Sequence, residues 1–148
     1  MAVQIVTFVL GAVFTLGLQF LSARLGLMRE QARESWVRRL NSYQDFNTAA
    51  IGLAELWQAG AAIPEPQVWD AITRARKAAY DAALYDAARP HLTTQMRELS
   101  GELVRFANGD RDHEELEGFI ESTRAIWDDY AGSDPALQQA SGTRWIRR

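Results

Sequence analysis

An uncharged apolar stretch near the N-terminus constrains this chain more than any other feature of its 148 residues. From Val3 to Ala23 the sequence reads VQIVTFVLGAVFTLGLQFLSA and contains no charged side chain. As an α-helix, a segment of this length spans about 30 Å, which matches the hydrocarbon core of a bilayer. Signal peptides begin with positive charge and have a shorter apolar region, whereas MAVQ carries no charged side chain. The stretch therefore predicts a transmembrane helix, with residues 1–28 as a membrane anchor.

A cluster of arginines follows the apolar stretch, and no arginine or lysine precedes it. The cluster consists of Arg24, Arg29, Arg33, Arg38 and Arg39. Positive residues beside a membrane helix are held on the cytoplasmic side, and they can also contact anionic lipid headgroups. We therefore expect the chain in the inner (cytoplasmic) membrane, with its N-terminus outside and the following domain in the cytoplasm.

Small residues recur on one side of the predicted anchor. Thr7, Gly11 and Thr15 are spaced four apart, so they share one helix face. In lipid, helices associate where small side chains let their backbones approach closely. This face is the predicted packing surface for the membrane helix of a partner protein or of a second copy.

Four amphipathic segments follow the arginines, each with apolar or small residues at spacings of three and four. The first carries Trp36, Leu40, Tyr43, Asn47, Ala50, Ala54 and Trp57, with a second stripe at Phe46, Ala49, Leu53 and Leu56. The second segment runs from Pro66 to Ala88 and carries Val68, Trp69, Ile72, Ala75, Ala79 and Ala82. The third carries Leu92, Met96, Leu99, Leu103 and Phe106. The fourth carries Leu116, Phe119, Thr123, Ile126 and Tyr130. Gly60, Pro64, Pro90 and Asn108-Gly109 separate them, and Asp110 or Asp112 can cap the fourth. The predicted fold is all-α: a transmembrane helix followed by a cytoplasmic up-and-down four-helix bundle over residues 29–132.

A basic tail closes the sequence at residues 133–148. It ends with Arg144, Trp145, Ile146, Arg147 and Arg148. In an up-and-down bundle the fourth helix returns to the end at which the first began, so the tail is predicted to lie near the bilayer. Cationic side chains beside an interfacial tryptophan suit contact with anionic headgroups.

Composition and sequence motifs limit the kinds of ligand and reaction that we expect for this chain. A net charge of −3 gives no basic face for nucleic acid, and the absence of cysteine excludes thiolate metal sites and cysteine nucleophiles. The sequence contains no GxSxG, P-loop, GxGxxG or HExxH motif, and His91 and His113 stand beside predicted helix starts as exposed or capping residues. We therefore expect no enzyme activity, no cofactor and no metal.

The segment after the anchor resembles a group of uncharacterised actinobacterial, or actinophage, single-pass proteins. In that group a membrane helix runs into the pattern W-x-x-R-R-x-x-x-Y-x-x-F. Here the matching residues are Trp36, Arg38, Arg39, Tyr43 and Phe46, with one residue instead of two between the tryptophan and the first arginine. The break at Ala88-Arg89-Pro90 is also similar. The resemblance implies a membrane-anchored helical bundle and brings no assigned activity.

Two functions are compatible with this organisation. The first is a non-enzymatic interaction module, in which the anchor brings the bundle to the membrane as an accessory, assembly or scaffold subunit of a larger complex. The alternative is a phage-type holin or exclusion factor whose anchors self-associate and perturb the bilayer. The first is preferred because a domain of roughly 110 residues is more than a membrane lesion needs. Lipid and a membrane-protein partner, or a second copy of the chain, are the predicted partners.

Overall fold

The computed structural model describes the backbone of residues 2–109 and 112–142, and the side chains of residues 21–109 and 112–139. In these ranges the chain forms helices and turns without a β-strand. It divides into two compact units, Met1–Val37 and Arg38–Arg148. The predicted all-α fold class is confirmed.

The first unit consists of the N-terminal part of α1 (Ala2–Gln58), whose C-terminal part belongs to the second unit. From position 21 onward most of its large apolar side chains are exposed: Leu21, Leu25, Leu27 and Met28 are at least half accessible, whereas Trp36 is half-buried. Most of the predicted anchor, including Thr7, Gly11 and Thr15, lies outside the residues whose side chains are described. Across the described residues, no helix combines the length and the apolar character that crossing a membrane requires.

The second unit contains the rest of α1 followed by α2 (Glu65–Tyr85), α3 (Pro90–Ala107) and α4 (His113–Ser133). The predicted breaks lie where the helices end. Gly60 and Gly109 adopt positive φ angles of 67° and 98°, which glycine tolerates without the steric cost of a Cβ. Pro66 lies in the first turn of α2 and Pro90 is the first residue of α3, where a missing N–H removes no helical hydrogen bond.

The four helices run up and down, as the contacts between their ends show. Arg38 near the start of the bundle contacts Tyr85 at the end of α2, so α1 and α2 are antiparallel. Tyr43 stacks on Tyr130 near the end of α4, and Glu55 pairs with Arg124 further back along that helix, so α1 and α4 are antiparallel as well. The predicted bundle is confirmed for this unit.

The core forms where the predicted apolar faces meet. Its largest fully buried side chains include Tyr43, Phe46, Ile72, Leu92, Met96, Leu103, Phe106 and Tyr130. Alanines on α2, among them Ala75, Ala79 and Ala82, let that helix pack closely on its neighbours. Two predicted members are wrong: Leu56 is 48% exposed and Trp69 is 40% exposed. The residue next to each of them in sequence is buried instead, Trp57 and Val68 respectively.

A fifth helix, α5 (Pro135–Gly142), follows α4 within the segment predicted as a basic tail. Asp134, buried between the two helices, accepts hydrogen bonds at Oδ1 from the backbone N–H groups of Ala136 at 2.9 Å and Leu137 at 3.4 Å. Aspartate before proline is a favourable helix start, because the carboxylate satisfies free N–H groups and proline has none to satisfy. The basic residues from Arg144 onward lie outside the described residues.

Candidate functional site

A buried polar cluster links α1, α4 and the turn between α2 and α3, at the end of the bundle where Arg38 lies. The side chain of Asp86 is fully buried and accepts hydrogen bonds from Arg89 Nη1 at both carboxylate oxygens, at 3.1 and 2.9 Å. The Tyr43 hydroxyl donates to Asp86 Oδ2 at 3.2 Å. Arg89 also donates to Ser133, from Nε to Oγ at 2.8 Å and from Nη2 to the carbonyl oxygen at 3.2 Å. The Asp86–Arg89 pair thus fastens α1 and the end of α4 to the turn between α2 and α3.

Two stacked tyrosines pack against the Asp86–Arg89 pair in this cluster. The rings of Tyr43 and Tyr130 lie 4.0 Å apart, and the Arg89 guanidinium lies 5.2 Å from the centre of the Tyr130 ring. Burial, followed by the negative charge of Asp86, raises the pKa of Tyr43 well above its usual value. Burial, followed by the negative charge of Asp134, raises the pKa of Tyr130 to about 12. The raised pKa values extend the range in which both phenols are protonated beyond that of an ordinary tyrosine. The contacts of the two rings link α1 to α4.

The arginines predicted to face lipid headgroups fall into two groups. Arg24, Arg29 and Arg33 are exposed on the first unit. Arg38 donates from Nη1 to the Tyr85 hydroxyl at 3.0 Å and lies 5.5 Å from the centre of its ring, while Arg39 is half-buried. Arg38 therefore also helps to hold the bundle together, a role that its position beside the predicted anchor did not indicate.

The histidines and carboxylates do not assemble into a metal centre within the described residues. His91 Nε2 lies 3.3 Å from Asp129 Oδ2 in an exposed pair that links α3 to α4. His113 is exposed at the first position of α4, near Glu114 and Glu115 in the same turn. Both histidines are at the surface, as their positions beside helix starts predicted.

The outward face of α2 carries an exposed ridge of Lys77, Tyr80 and Leu84, here called the α2 ridge. Tyr80 is 65% exposed and Leu84 is 72% exposed, although both are large apolar residues. They are four residues apart and lie opposite the buried alanines of the same helix. Beside the ridge, a cleft of about 400 Å³ between α2 and α3 is lined by Arg76, Tyr80 and Arg97, together with Glu98 and small or hydroxyl residues. The ridge is thus largely apolar, and its one cation, Lys77, lines a second cleft that also contains Asp45 and Asp81.

The outward face of α4 carries small and acidic residues. Gly118, Ala125 and Gly132 recur every seven residues and are exposed; we call this line the α4 groove. Glu114, Glu121 and Asp128 recur at the same interval beside it and are also exposed. A Cβ built at Gly118 or Gly132 meets nothing within 4 Å, so both positions face open space, as the other described glycines do. This face therefore has small and acidic side chains, whereas the α2 ridge has the large side chains of Tyr80 and Leu84.

Neither the α2 ridge nor the α4 groove was predicted as a site. The sequence does contain a feature that points to each surface. In α2, apolar residues stand on the otherwise polar side of the helix. In α4, glycines occur at heptad spacing inside a helix, although glycine lowers helix propensity. That signal becomes readable only when the buried face of each helix is known. No family model, curated protein or solved structure matches the chain.

Proposed function

We propose that this chain is a non-enzymatic, membrane-anchored interaction module. Its N-terminal helix inserts into the inner membrane, and its helical bundle offers binding surfaces on the cytoplasmic side. The observation that carries the proposal is the uncharged segment from Val3 to Ala23 with arginines only after it. That pattern has the length and the charge asymmetry of a cytoplasm-facing single-pass anchor.

Support for the anchor continues into the described part of the first unit. Leu21 and Leu25 are exposed and four residues apart, so they lie on one side of α1, and Met28 extends that side by three more. Exposed apolar surface costs about 25 cal/mol per Å² in water, and burial in lipid removes this cost. Arg24, Arg29 and Arg33 flank the stripe and supply cations for headgroups.

Support for an interaction role comes from the bundle. Its buried polar cluster is occupied by its own side chains, whereas the α2 ridge and the α4 groove are exposed. A single membrane helix with a folded bundle suits an accessory or scaffold subunit, because the anchor supplies location and the bundle supplies surface.

Flotation with liposomes tests the anchor. The full chain is expected to float with vesicles, and Leu10→Arg should reduce the floating fraction, because a charged arginine at the helix centre costs about 3 kcal/mol. Leu10→Ile is the matched control and should float like the unsubstituted chain. A full chain that stays at the bottom of the gradient would overturn the proposal.

Orientation is tested with two reporters fused after Arg148. A reporter active only in the cytoplasm should give signal, and one active only in the periplasm should give none. The reverse result would place the bundle on the opposite side of the membrane.

A further inference from the structure

We infer that a cleft at one end of the bundle binds a small organic ammonium ion. The cleft has a volume of about 360 Å³ and lies where the turn between α1 and α2 meets the end of α3. Small-molecule sites in proteins begin at about 300 Å³. The inference goes beyond the proposed function and does not depend on it, because every residue that lines the cleft belongs to the second unit.

Two tryptophans supply the aromatic part of the lining. Trp57 lines the cleft from α1 and is 8% exposed, whereas Trp69 lines it from α2 and is 40% exposed. Ile63 and Val68 also line the cleft. Indole attracts a cation more strongly than any other aromatic side chain, and the attraction grows when the cation is removed from water. The lining therefore suits a cation that carries apolar groups.

One carboxylate lies in the same cleft. Glu65 is the first residue of α2, and its Oε1 accepts a hydrogen bond from Trp69 Nε1 at 3.4 Å. In the described part of the chain, no arginine or lysine forms an ion pair with Glu65. The hydrogen bond places the carboxylate beside the indole, so one ammonium group can interact with both.

The ends of two helices add negative charge to this region. α1 ends at Gln58 and α3 ends at Ala107, and residues that follow both ends line the cleft. The C-terminal end of a helix carries a partial negative charge of about one half. α1 has no basic residue in its last turn, and Arg105 in the last turn of α3 donates to Glu115 of α4 at 3.0 Å. The N-terminal end of α2 contributes the opposite partial charge, which is smaller than the full charge of Glu65. The sum of these charges is negative.

The lining favours an organic ammonium ion over a metal ion. Calcium and magnesium ions take about six or more oxygen ligands, whereas the side chains here offer one carboxylate and the amide of Asn108. An ammonium ion with alkyl groups can pair with Glu65 while its apolar groups contact the tryptophans and Ile63. Two sources present this chemistry: a free amine, and the lysine side chain of a partner protein.

Titration of the full chain, purified in a maltoside detergent that carries no ammonium group, tests the inference by nuclear magnetic resonance. The probes are choline, for a free amine, and N-acetyl-lysine amide, for a lysine side chain. Each is compared with a neutral analogue: the alcohol in which a tert-butyl group replaces the trimethylammonium group, and N-acetyl-norleucine amide. At least one cation should shift the indole N–H resonance of Trp69, and its neutral analogue should bind at least about tenfold more weakly.

Glu65→Gln tests the contribution of the carboxylate charge. Glutamine keeps an acceptor for Trp69 Nε1 and removes the negative charge, so the cation should bind at least about tenfold more weakly. Glu98→Gln makes the same charge change at an exposed position on α3 that does not line this cleft, and this control should bind the cation normally. Helical circular dichroism should be unchanged in both variants.

Trp69→Leu tests the aromatic part of the lining. Because Trp69 is 40% exposed, its replacement should leave the helical circular dichroism intact. The indole resonance that is missing from the spectrum of this variant identifies Trp69. Binding to the variant is followed through the signals of the probe and should fall at least about tenfold. Tyr80→Leu removes an exposed aromatic ring of α2 outside the cleft, and this control should bind the cation normally.

The relative affinities of the two cations identify the source of the ligand. Tighter binding of choline indicates a free amine, and tighter binding of the lysine amide indicates the side chain of a partner. Equal affinity for a cation and its neutral analogue overturns the inference, as does a Glu65→Gln variant that binds like the unsubstituted chain. Lack of binding by both cations overturns it as well. Flotation with vesicles tests the anchor and is measured independently of these titrations.

Discussion

Tyr43 and Tyr130 stack with their ring centres 4.0 Å apart and their planes inclined by 13°. This contact joins the first helix of the bundle to the end of the fourth, at the level where Asp86 and Arg89 close the turn between α2 and α3. Residues far apart in sequence thereby share one buried cluster. The stability of that end of the bundle depends on pairs that no local pattern reveals.

Loss of the arginine in this cluster should destabilise the bundle strongly. Arg89→Ala removes the salt-bridge partner of a fully buried carboxylate, and breaking one side of a buried pair costs about 3 to 5 kcal/mol. Arg124→Ala breaks the exposed pair with Glu55 and should cost less than about 1 kcal/mol. Urea unfolding of the full chain in detergent, followed by circular dichroism, measures both. Equal losses of unfolding free energy for Arg89→Ala and Arg124→Ala would show that the buried cluster contributes no more to stability than a surface ion pair does.

The bundle should lose stability at alkaline pH through its tyrosines. An unfolded tyrosine titrates near 10.0, whereas burial raises the pKa of Tyr130 to about 12 and that of Tyr43 further. The folded state therefore binds more protons above pH 10, so its stability is fully present below that pH and declines as pH rises towards 12. Tyr130→Phe removes one of the two groups and should flatten the decline relative to the same variant at neutral pH. A profile as steep as that of the unsubstituted chain would contradict this assignment.

A charge placed in the core should unfold the bundle, and the same change on the surface should not. Leu103 is fully buried on α3, so Leu103→Asp leaves a carboxylate without a partner in an apolar environment, a penalty of several kcal/mol, roughly the whole stability of a small domain. Leu84→Asp makes the same substitution at a residue that is 72% exposed. We expect loss of helical circular dichroism only for the first. A folded Leu103→Asp variant would argue against the core as described.

Much of the bundle could be predicted from the sequence because proline, glycine and apolar spacing are local signals. Pro90 and Gly109 bound α3 as expected, and Leu103 and Phe106 lie in the core. The Asp86–Arg89–Ser133 contacts could not be predicted, since nothing in the spacing of polar residues states which turn meets which helix end. Trp69 shows that apolar character alone does not predict burial. We predicted it to lie in the core, whereas Trp69 lies at the surface and Val68 beside it is buried.

Opposite effects are expected from the same substitution at two glycines of the second unit. Gly60 adopts a φ of 67°, a left-handed conformation in which a side chain is strained by roughly 1 to 2 kcal/mol. Gly52 is an exposed position within α1 where an added Cβ meets nothing within 4 Å. Gly60→Ala should therefore lower the melting temperature, and Gly52→Ala should raise it, because alanine is favoured over glycine in a helix by about 1 kcal/mol. A rise for both would show that the end of α1 does not depend on the glycine conformation.

The predicted packing face of the anchor can be tested by one substitution with a matched control. Thr7, Gly11 and Thr15 share a helix face by their spacing, and small side chains there let a neighbouring membrane helix approach. Gly11→Leu should block that approach, because leucine is bulky, while leaving flotation with vesicles intact, because leucine suits hydrocarbon at least as well as glycine. Val9→Leu, which helical periodicity places on the opposite face, is the control and should change neither property. If crosslinking of the full chain in vesicles falls for Gly11→Leu and not for Val9→Leu, the small-residue face is a packing surface. If Gly11→Leu crosslinks like the unsubstituted chain, the small-residue face is not a packing surface.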